Sequence, residues 1–429
     1  MDNPFSINFE WIGSESSDYH HCTFAEVDIC LSGVHICELE DTVSKTVRPT
    51  MRVSAYALAQ WLASNWWRII CEPERVGSSW EMSHKLGAIG EGYLWPDLEF
   101  CSDSQDVKLS MYPTPSSSRE GVRYLNHIQR DVSLPHFEMT IRSFIESVIE
   151  RLYSFGYKNS ALHKVWEELK EELSNHEYSK WRRVEALLGN DPDTVSSDFV
   201  EDILTASKKY GENAVSEIIS CQENDPLKVI KELWSGVRNK ASSTLMIDYS
   251  DQLRHKVVSF DKSKPWEKAA YAARVARKSW SVPDGSVTNK FLSDCFGFLQ
   301  RELIYNKNNQ YHIAAGFRDS GTEKIKFYLN TSYEANRRFA LMRIVGDHLY
   351  SSVQDKILPS TKEKTYRQKF QRAFAQEFLC PYHELKEFMG KDKTEDRIEN
   401  AAAYFMVSQL LIRTVLVNKK ELQQYMLNY

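Results

Sequence analysis

The chain has 429 residues, 42% of them hydrophobic and 26% charged, with a formal net charge of −5. That composition describes an ordinary globular protein of more than one domain and excludes a disordered, collagenous or low-complexity chain. No apolar run approaches the roughly 18 residues that a membrane span needs, and Met1-Asp2-Asn3-Pro4 lacks the basic start and apolar core of a signal peptide, so no membrane partner is expected.

Residues 1–135 read as a β-rich domain. Phe5-Ser6-Ile7-Asn8-Phe9-Glu10-Trp11 alternates apolar and polar side chains, as a half-buried strand does. Phe24–Leu31, the turn Ser32-Gly33 and Val34–Leu39 give a hairpin signal. Three cysteines, Cys22, Cys30 and Cys37, fall on or beside these strands. The eight cysteines include no CxxC pair and read as free thiols, which points to the cytoplasm. His20-His21-Cys22 is read on a strand, where adjacent histidines face opposite ways and do not chelate together. Ser54 is placed to cap a helix running to Trp67. Glycine turns at Gly87, Gly90 and Gly92 follow, then strands around Tyr93–Phe100 and Asp106–Tyr112. The glycines lack the strand-to-helix context and following Lys of a phosphate loop, so no nucleotide cofactor is expected.

Six of the eleven tryptophans, Trp11, Trp61, Trp66, Trp67, Trp80 and Trp95, lie in this domain. One reading is a core cemented by large aromatic areas. The other is a ligand pocket of Trp66, Trp67, Trp80 and Trp95 edged by His84, Glu91 and Asp97, suited to a planar or peptide ligand.

Residues 136–245 read as an α-helical region. Phe137–Tyr153 carries Ile141, Phe144, Ile145, Val148, Ile149 and Leu152 on one stripe. Ser160–Leu173, Ser197–Lys209, Asn213–Cys221 and Pro226–Val237 are further helical segments, with Glu167, Glu168, Glu171 and Glu172 as a solvated face. Residues 238–264 read as a linker. Charge divides along the same line: residues 1–245 hold 24 Lys and Arg against 38 Asp and Glu, a net of −14, while residues 246–429 hold 30 against 21, a net of +9. A basic C-terminal half permits an acidic partner, nucleic acid included.

In the C-terminal part, 246–429, a helix without Pro is expected from Asn336 to Tyr350, with Phe339, Met342, Ile344, Val345 and Leu349 on its apolar face. Lys326–Asn330 reads as a strand before it. Ala270–Arg277, Phe374–Pro381 and Ala401–Ser408, continued by Leu411, Ile412 and Val415, read as helical segments around it. In this order the five segments resemble the ImmA/IrrE zinc metallopeptidases, whose zinc helix runs Arg-Phe-Thr-Leu-Ala-His-Glu-Leu-Gly-His. Arg338, Phe339, Leu341 and Gly346 match that pattern in register.

The chemical positions depart from it. Arg343 stands where the first zinc histidine belongs, Ile344 replaces the general-base glutamate, and Asp347 replaces the second histidine. A guanidinium does not ligate a cation and isoleucine accepts no proton. The third ligand, a glutamate, belongs in the stretch that here reads Arg367-Gln368-Lys369-Phe370-Gln371-Arg372, which has no carboxylate. His348 is one residue out of register. Arg343 and Asp347, one turn apart, are expected to form an ion pair across the space of the metal. Lys362–Lys369 is the densest basic run and reads as a solvated helix face.

The expected architecture is α+β: a β-rich N-terminal domain, a helical middle and a zincin-like C-terminal domain with no metal and no other cofactor. The resemblance implies a catalytically inactive regulatory protein that binds a protein partner. Active relatives cleave repressors or antitoxins, so the setting it implies is bacterial stress response, toxin–antitoxin pairs or phage defence. Two alternatives stand beside it. One is a DNA-binding regulator using the basic C-terminal half and the helices around Val407-Ser408. The other is an enzyme whose site lies in the N-terminal aromatic region.

Overall fold

In the computed structural model the described residues are 5–12, 18–221, 225–240, 243–248, 250–260, 264–304, 313–318 and 324–423. The chain is α+β and divides into two compact units, Met1–Glu201 and Asp202–Tyr429. The helical middle region is therefore split rather than separate. Its first helices fall in the first unit, while Glu212–Ile219 and Pro226–Lys231 fall in the second.

In the first unit, Phe5–Trp11 pairs antiparallel with Phe24–Leu31 over its whole length, from Phe5 opposite Leu31 to Trp11 opposite Ala25. The expected second hairpin arm is short. Only Val34 and His35 pair with Leu31 and Cys30, and the rest of that edge is taken by Met51–Ser54. Beyond His35 the Ile36 amide still donates to the Ile29 carbonyl, while the Ile29 amide donates to the buried Cys37 Sγ, 3.3 Å away. Ser54 caps the next helix, accepting from the Ala57 amide, but that helix ends at Ser64 and a second one, Trp66–Cys71, takes over after Asn65. Helix Leu134–Ser154 lays its stripe on the sheet, with Phe137 stacked 5.4 Å from Phe5 and Phe144 edge-on to Phe9 at 5.6 Å. The strands Glu99–Ser102, Asp106–Met111 and Ile128–Ser133 form a second antiparallel sheet. His20-His21-Cys22 lies in a helical turn, not a strand: Asp18 takes His21, Ser54 takes His20, and Cys22 is buried.

The second unit is built on a four-stranded antiparallel sheet, ordered Thr244–Met246, Lys324–Tyr328, Ala314–Arg318, Ile357–Ser360. Its first strand, and the helix Ser250–Ser259 after it, fall in the stretch expected to be a linker. That stretch is instead part of the sheet and of the packing behind it. Three helices, Pro265–Ser279, Glu334–Tyr350 and Tyr366–Leu379, pack on one another. Small residues make the close approach: Ala269, Ala272, Ala273 and Ala276 line the first helix and are all inaccessible.

Gly346 does the same on Glu334–Tyr350, hereafter the site helix. A Cβ there would stand 2.6 Å from the ring of Phe374. Phe374 is fully buried and flanked by Phe370 and Phe378, so it has nowhere to move. Gly346→Ala gains about 1 kcal/mol of helix propensity and loses about 1–3 kcal/mol to overpacking. Urea unfolding is expected to show net destabilisation; a variant more stable than the parent would contradict this packing.

Candidate functional site: a buried ion network on the site helix

The site helix is fixed at its start by two buried arginines. Arg337 reaches the carbonyls of Glu302, Leu329 and Thr331, and Arg338 those of Met406 and Val287, together with the Asn289 side chain. These bonds tie the helix to four separate segments of the unit. Burial pushes the Arg338 guanidinium down to about 10.

One turn further on, the expected pair of Arg343 with Asp347 does not form. Asp347, 0% exposed, is held instead by Arg367 from the neighbouring helix Tyr366–Leu379. Arg367 Nε and Nη2 donate to the two carboxylate oxygens at 2.8 Å each, and its Nη1 donates to Asp355 at 2.8 Å. A bidentate guanidinium presenting its Nε and Nη2 edge matches a carboxylate better than an i, i+4 neighbour on the same helix does. Burial opposes the Arg367 charge, but Asp347 and Asp355 more than offset it and hold the guanidinium above its ordinary value. Burial pushes Asp355 up, with Arg367 opposing; its carboxylate also accepts from the Ala214 amide in the first turn of helix Glu212–Ile219.

Arg343 turns the other way, donating to the Thr361 carbonyl at 2.6 Å and Gln368 Oε1 at 2.5 Å. Gln368 and Gln371 both donate to Pro359 O, which fastens their helix to the edge strand Ile357–Ser360. Ile344 packs on the sheet, where a Cβ at Gly316 would meet its Cγ2 at 2.6 Å. Glu217 of helix Glu212–Ile219 closes this face, accepting from Thr365 Oγ1 at 2.8 Å. The basic run Lys362–Lys369 is consequently split. Lys362 and Lys364 are exposed, while Arg367 and Gln368 are interior.

His348 faces a third direction. Its Nδ1 accepts from Arg318 Nε at 3.0 Å, and its carbonyl from Arg318 and Arg254. Burial, then the Arg318 and Arg254 charges, hold the imidazole well below its ordinary value, so the ring is neutral. A ring nitrogen already taken, beside two guanidiniums, is a poor cation ligand.

These residues do not fit a zinc ion. Both Asp347 oxygens are occupied, and guanidiniums stand where the first zinc ligand was expected and in the stretch expected to hold the third. Among the described residues there is no group of three or more His, Cys, Asp and Glu side chains able to hold a metal. Arg367 instead supplies a covalently attached cation between two carboxylates.

No family model, curated protein or solved structure matches the chain.

The N-terminal residues read as a possible pocket divide between core and surface. Trp66, Trp67, Trp80 and Trp95 are core, with the indoles of the last three donating to Glu172, Pro73 O and Gly90 O. Asp97 and Glu91 are exposed. His84 is inaccessible and stacks on Trp80 with ring centroids 4.3 Å apart. Its Nδ1 faces Phe100 O at 2.8 Å and its Nε2 faces Glu72 at 3.1 Å. Glu72, also inaccessible, accepts from Arg68 at 2.7 Å and has Arg75 at 3.3 Å. This second buried network was not expected. Its only sequence signal is two arginines spaced three or four residues from a glutamate, a pattern shared by many solvated helix faces.

The C-terminal helices Glu395–Phe405 and Gln409–Asn418 meet at 110° across a short turn. Their exposed residues include Glu395, Asp396 and Glu399, and Arg413 is buried against Glu395. That is not the basic face that phosphate backbones select. No single helix among the described residues is long and apolar enough to cross a membrane.

Proposed function

We propose that this chain is a non-catalytic relative of the ImmA/IrrE peptidases that acts by binding a protein partner, in a bacterial regulatory or phage-defence setting. One observation supports this reading above the others: Arg367 sits bidentate on Asp347, using the position of the second zinc ligand for a structural ion pair. Helix Glu212–Ile219 packs beside strand Ile357–Ser360, and its Glu217 accepts from Thr365. A partner is met by outer faces of the second unit, where Val258, Trp266, Tyr333 and Val353 are exposed.

The test is the metal content of the purified, tag-free chain by mass spectrometry, alongside a peptide-cleavage assay. Zinc, manganese, iron and nickel far below stoichiometric, with no cleavage, are expected. Near one equivalent of metal, lost in His348→Ala, would overturn the reading. Co-purification of a stoichiometric protein partner from the native host, weakened by Trp266→Glu, is the matching positive result.

A further inference from the structure

In the first unit, His84 ends helix Ser78–His84 with its side chain inaccessible and both ring nitrogens facing oxygens. Nδ1 lies 2.8 Å from the Phe100 carbonyl of strand Glu99–Ser102, and Nε2 lies 3.1 Å from Glu72 Oε2. A carbonyl only accepts, so the first contact puts a proton on Nδ1. A neutral imidazole then has no hydrogen left for Nε2, whose lone pair would point at the lone pairs of a carboxylate. Glu72 is inaccessible too, so solvent does not screen that opposition. Among the described histidines no other engages both nitrogens; His136 and His163 use one each, and Nε2 of His163 has no partner.

The charged groups around the contact are nearly balanced. Arg68 of helix Trp66–Cys71 donates Nε to the same Glu72 oxygen at 2.7 Å, and Arg75 stands 3.3 Å from Oε1. Arg68 also meets Asp191 at 3.1 Å. On the histidine's own helix Glu81 meets Lys85 at 3.3 Å, and Glu99 of the facing strand lies 4.0 Å from the same lysine. Two guanidiniums thus face two carboxylates, which leaves charge balance neutral on a further proton. Trp80 tips it: its indole stacks on the imidazole with centroids 4.3 Å apart and planes 9° apart, and the face of an indole attracts a cation.

We propose that the Glu72–His84 contact holds a proton beyond the one on Nδ1, and that this proton is a latch. It fastens helix Ser78–His84 and strand Glu99–Ser102 to Glu72, the cap of helix Trp66–Cys71. Linkage gives the latch a definite sign. Above about pH 6.5, the ordinary histidine value, the folded chain binds one proton more than the unfolded chain, so the folded form loses stability as pH rises. The latch holds in neutral solution and is opened by base. This inference is independent of whether the chain has a protein partner.

The first test counts protons directly, by ¹⁵N–¹H NMR of the full-length protein labelled at histidine, at about pH 7.5, with His84→Gln identifying the signals. Two N–H signals from the His84 ring are expected; one N–H signal together with a protonated Glu72 carboxyl carbon supports the same shared proton. A ring with one bare nitrogen beside an ionised Glu72 overturns the proposal. The second test is urea unfolding between about pH 7 and pH 8. That window lies below the range in which thiols such as Cys37, pushed up by burial, add a slope of the same sign. The wild-type unfolding constant is expected to rise about tenfold over this unit, the effect of one bound proton, and that of His84→Gln to rise clearly less. Equal slopes in the two proteins overturn the proposal. Should His84→Gln fail to fold, the wild-type spectrum decides alone: a single ring carrying two N–H signals supports the latch, and none overturns it when the Glu72 carboxyl is also ionised.

Discussion

Arg367→Met is expected to lower the unfolding free energy by about 3–5 kcal/mol, the cost of removing one partner from a buried pair and stranding the other charge. Here two carboxylates lose it at once, Asp347 at 0% exposure and Asp355 at 1%. Pairing a second substitution with the first separates lost attraction from stranded charge. Arg367→Met with Asp347→Leu leaves only Asp355, which keeps the Ala214 amide. This double variant is expected to recover most of the loss, since apolar replacements for buried pairs are often neutral or stabilising. The sign with pH follows from the same geometry. A carboxylate whose folded pKa lies above its unfolded value takes up protons on folding, so the folded state gains as pH falls through the folded pKa. The deficit of Arg367→Met should therefore shrink on acidification. Urea midpoints for parent and variants from pH 7 to pH 4 measure it, and a deficit that grows on acidification would show that neither carboxylate is stranded.

The second large effect belongs to the first unit. Glu72→Gln should cost about 3–5 kcal/mol, because Arg68 and His84 lose a shared buried anion. Burial pushes the Glu72 carboxyl up, but hydrogen bonds from His84 and Arg68, with their charges, outweigh it and leave the group below its ordinary value. A depressed carboxylate contributes stability that is full above its unfolded pKa and is lost as pH falls through the folded one. Acid titration of wild type should thus show stability falling below about pH 4.5, the ordinary value for glutamate. In Glu72→Gln that part of the slope should be absent. Equal acid slopes in the two proteins would remove Glu72 from the account.

Local patterns were legible wherever one element decides its own structure. The alternation of Phe5–Trp11, the cap at Ser54, the stripe from Phe137 to Leu152 and the site helix all hold, because periodicity and capping are short-range. What failed was decided by partners far off in sequence. Thr244-Leu245-Met246 is too short to show alternation, and only pairing with Lys324–Tyr328 makes it a strand. Arg343 and Asp347 are neighbours on one helix and looked like a pair, yet a guanidinium from another helix won on geometry. The tryptophan cluster reads first as a core and second as a pocket, since both need the same aromatic area; the burial of Trp66, Trp67, Trp80, Trp95 and His84 agrees with the first. The mismatch with the ImmA/IrrE zinc pattern lies in Arg343 and Ile344, which a sequence comparison reads directly. The bidentate bond of Arg367 to Asp347 was not legible, because nothing local tells which basic residue of a run will turn inward.

Helix Glu212–Ile219, whose Glu217 closes the face of the site helix, has a bearing on synthesis. Its Ala214, Val215, Ile218 and Ile219 are buried, and its bond to Thr365 joins residues 148 positions apart. At roughly 5–20 residues per second, a ribosome takes about 7–30 s to deliver that partner. Over that interval the helix has a bare apolar flank on the nascent chain, a target for a chaperone or for a neighbouring copy on the same messenger.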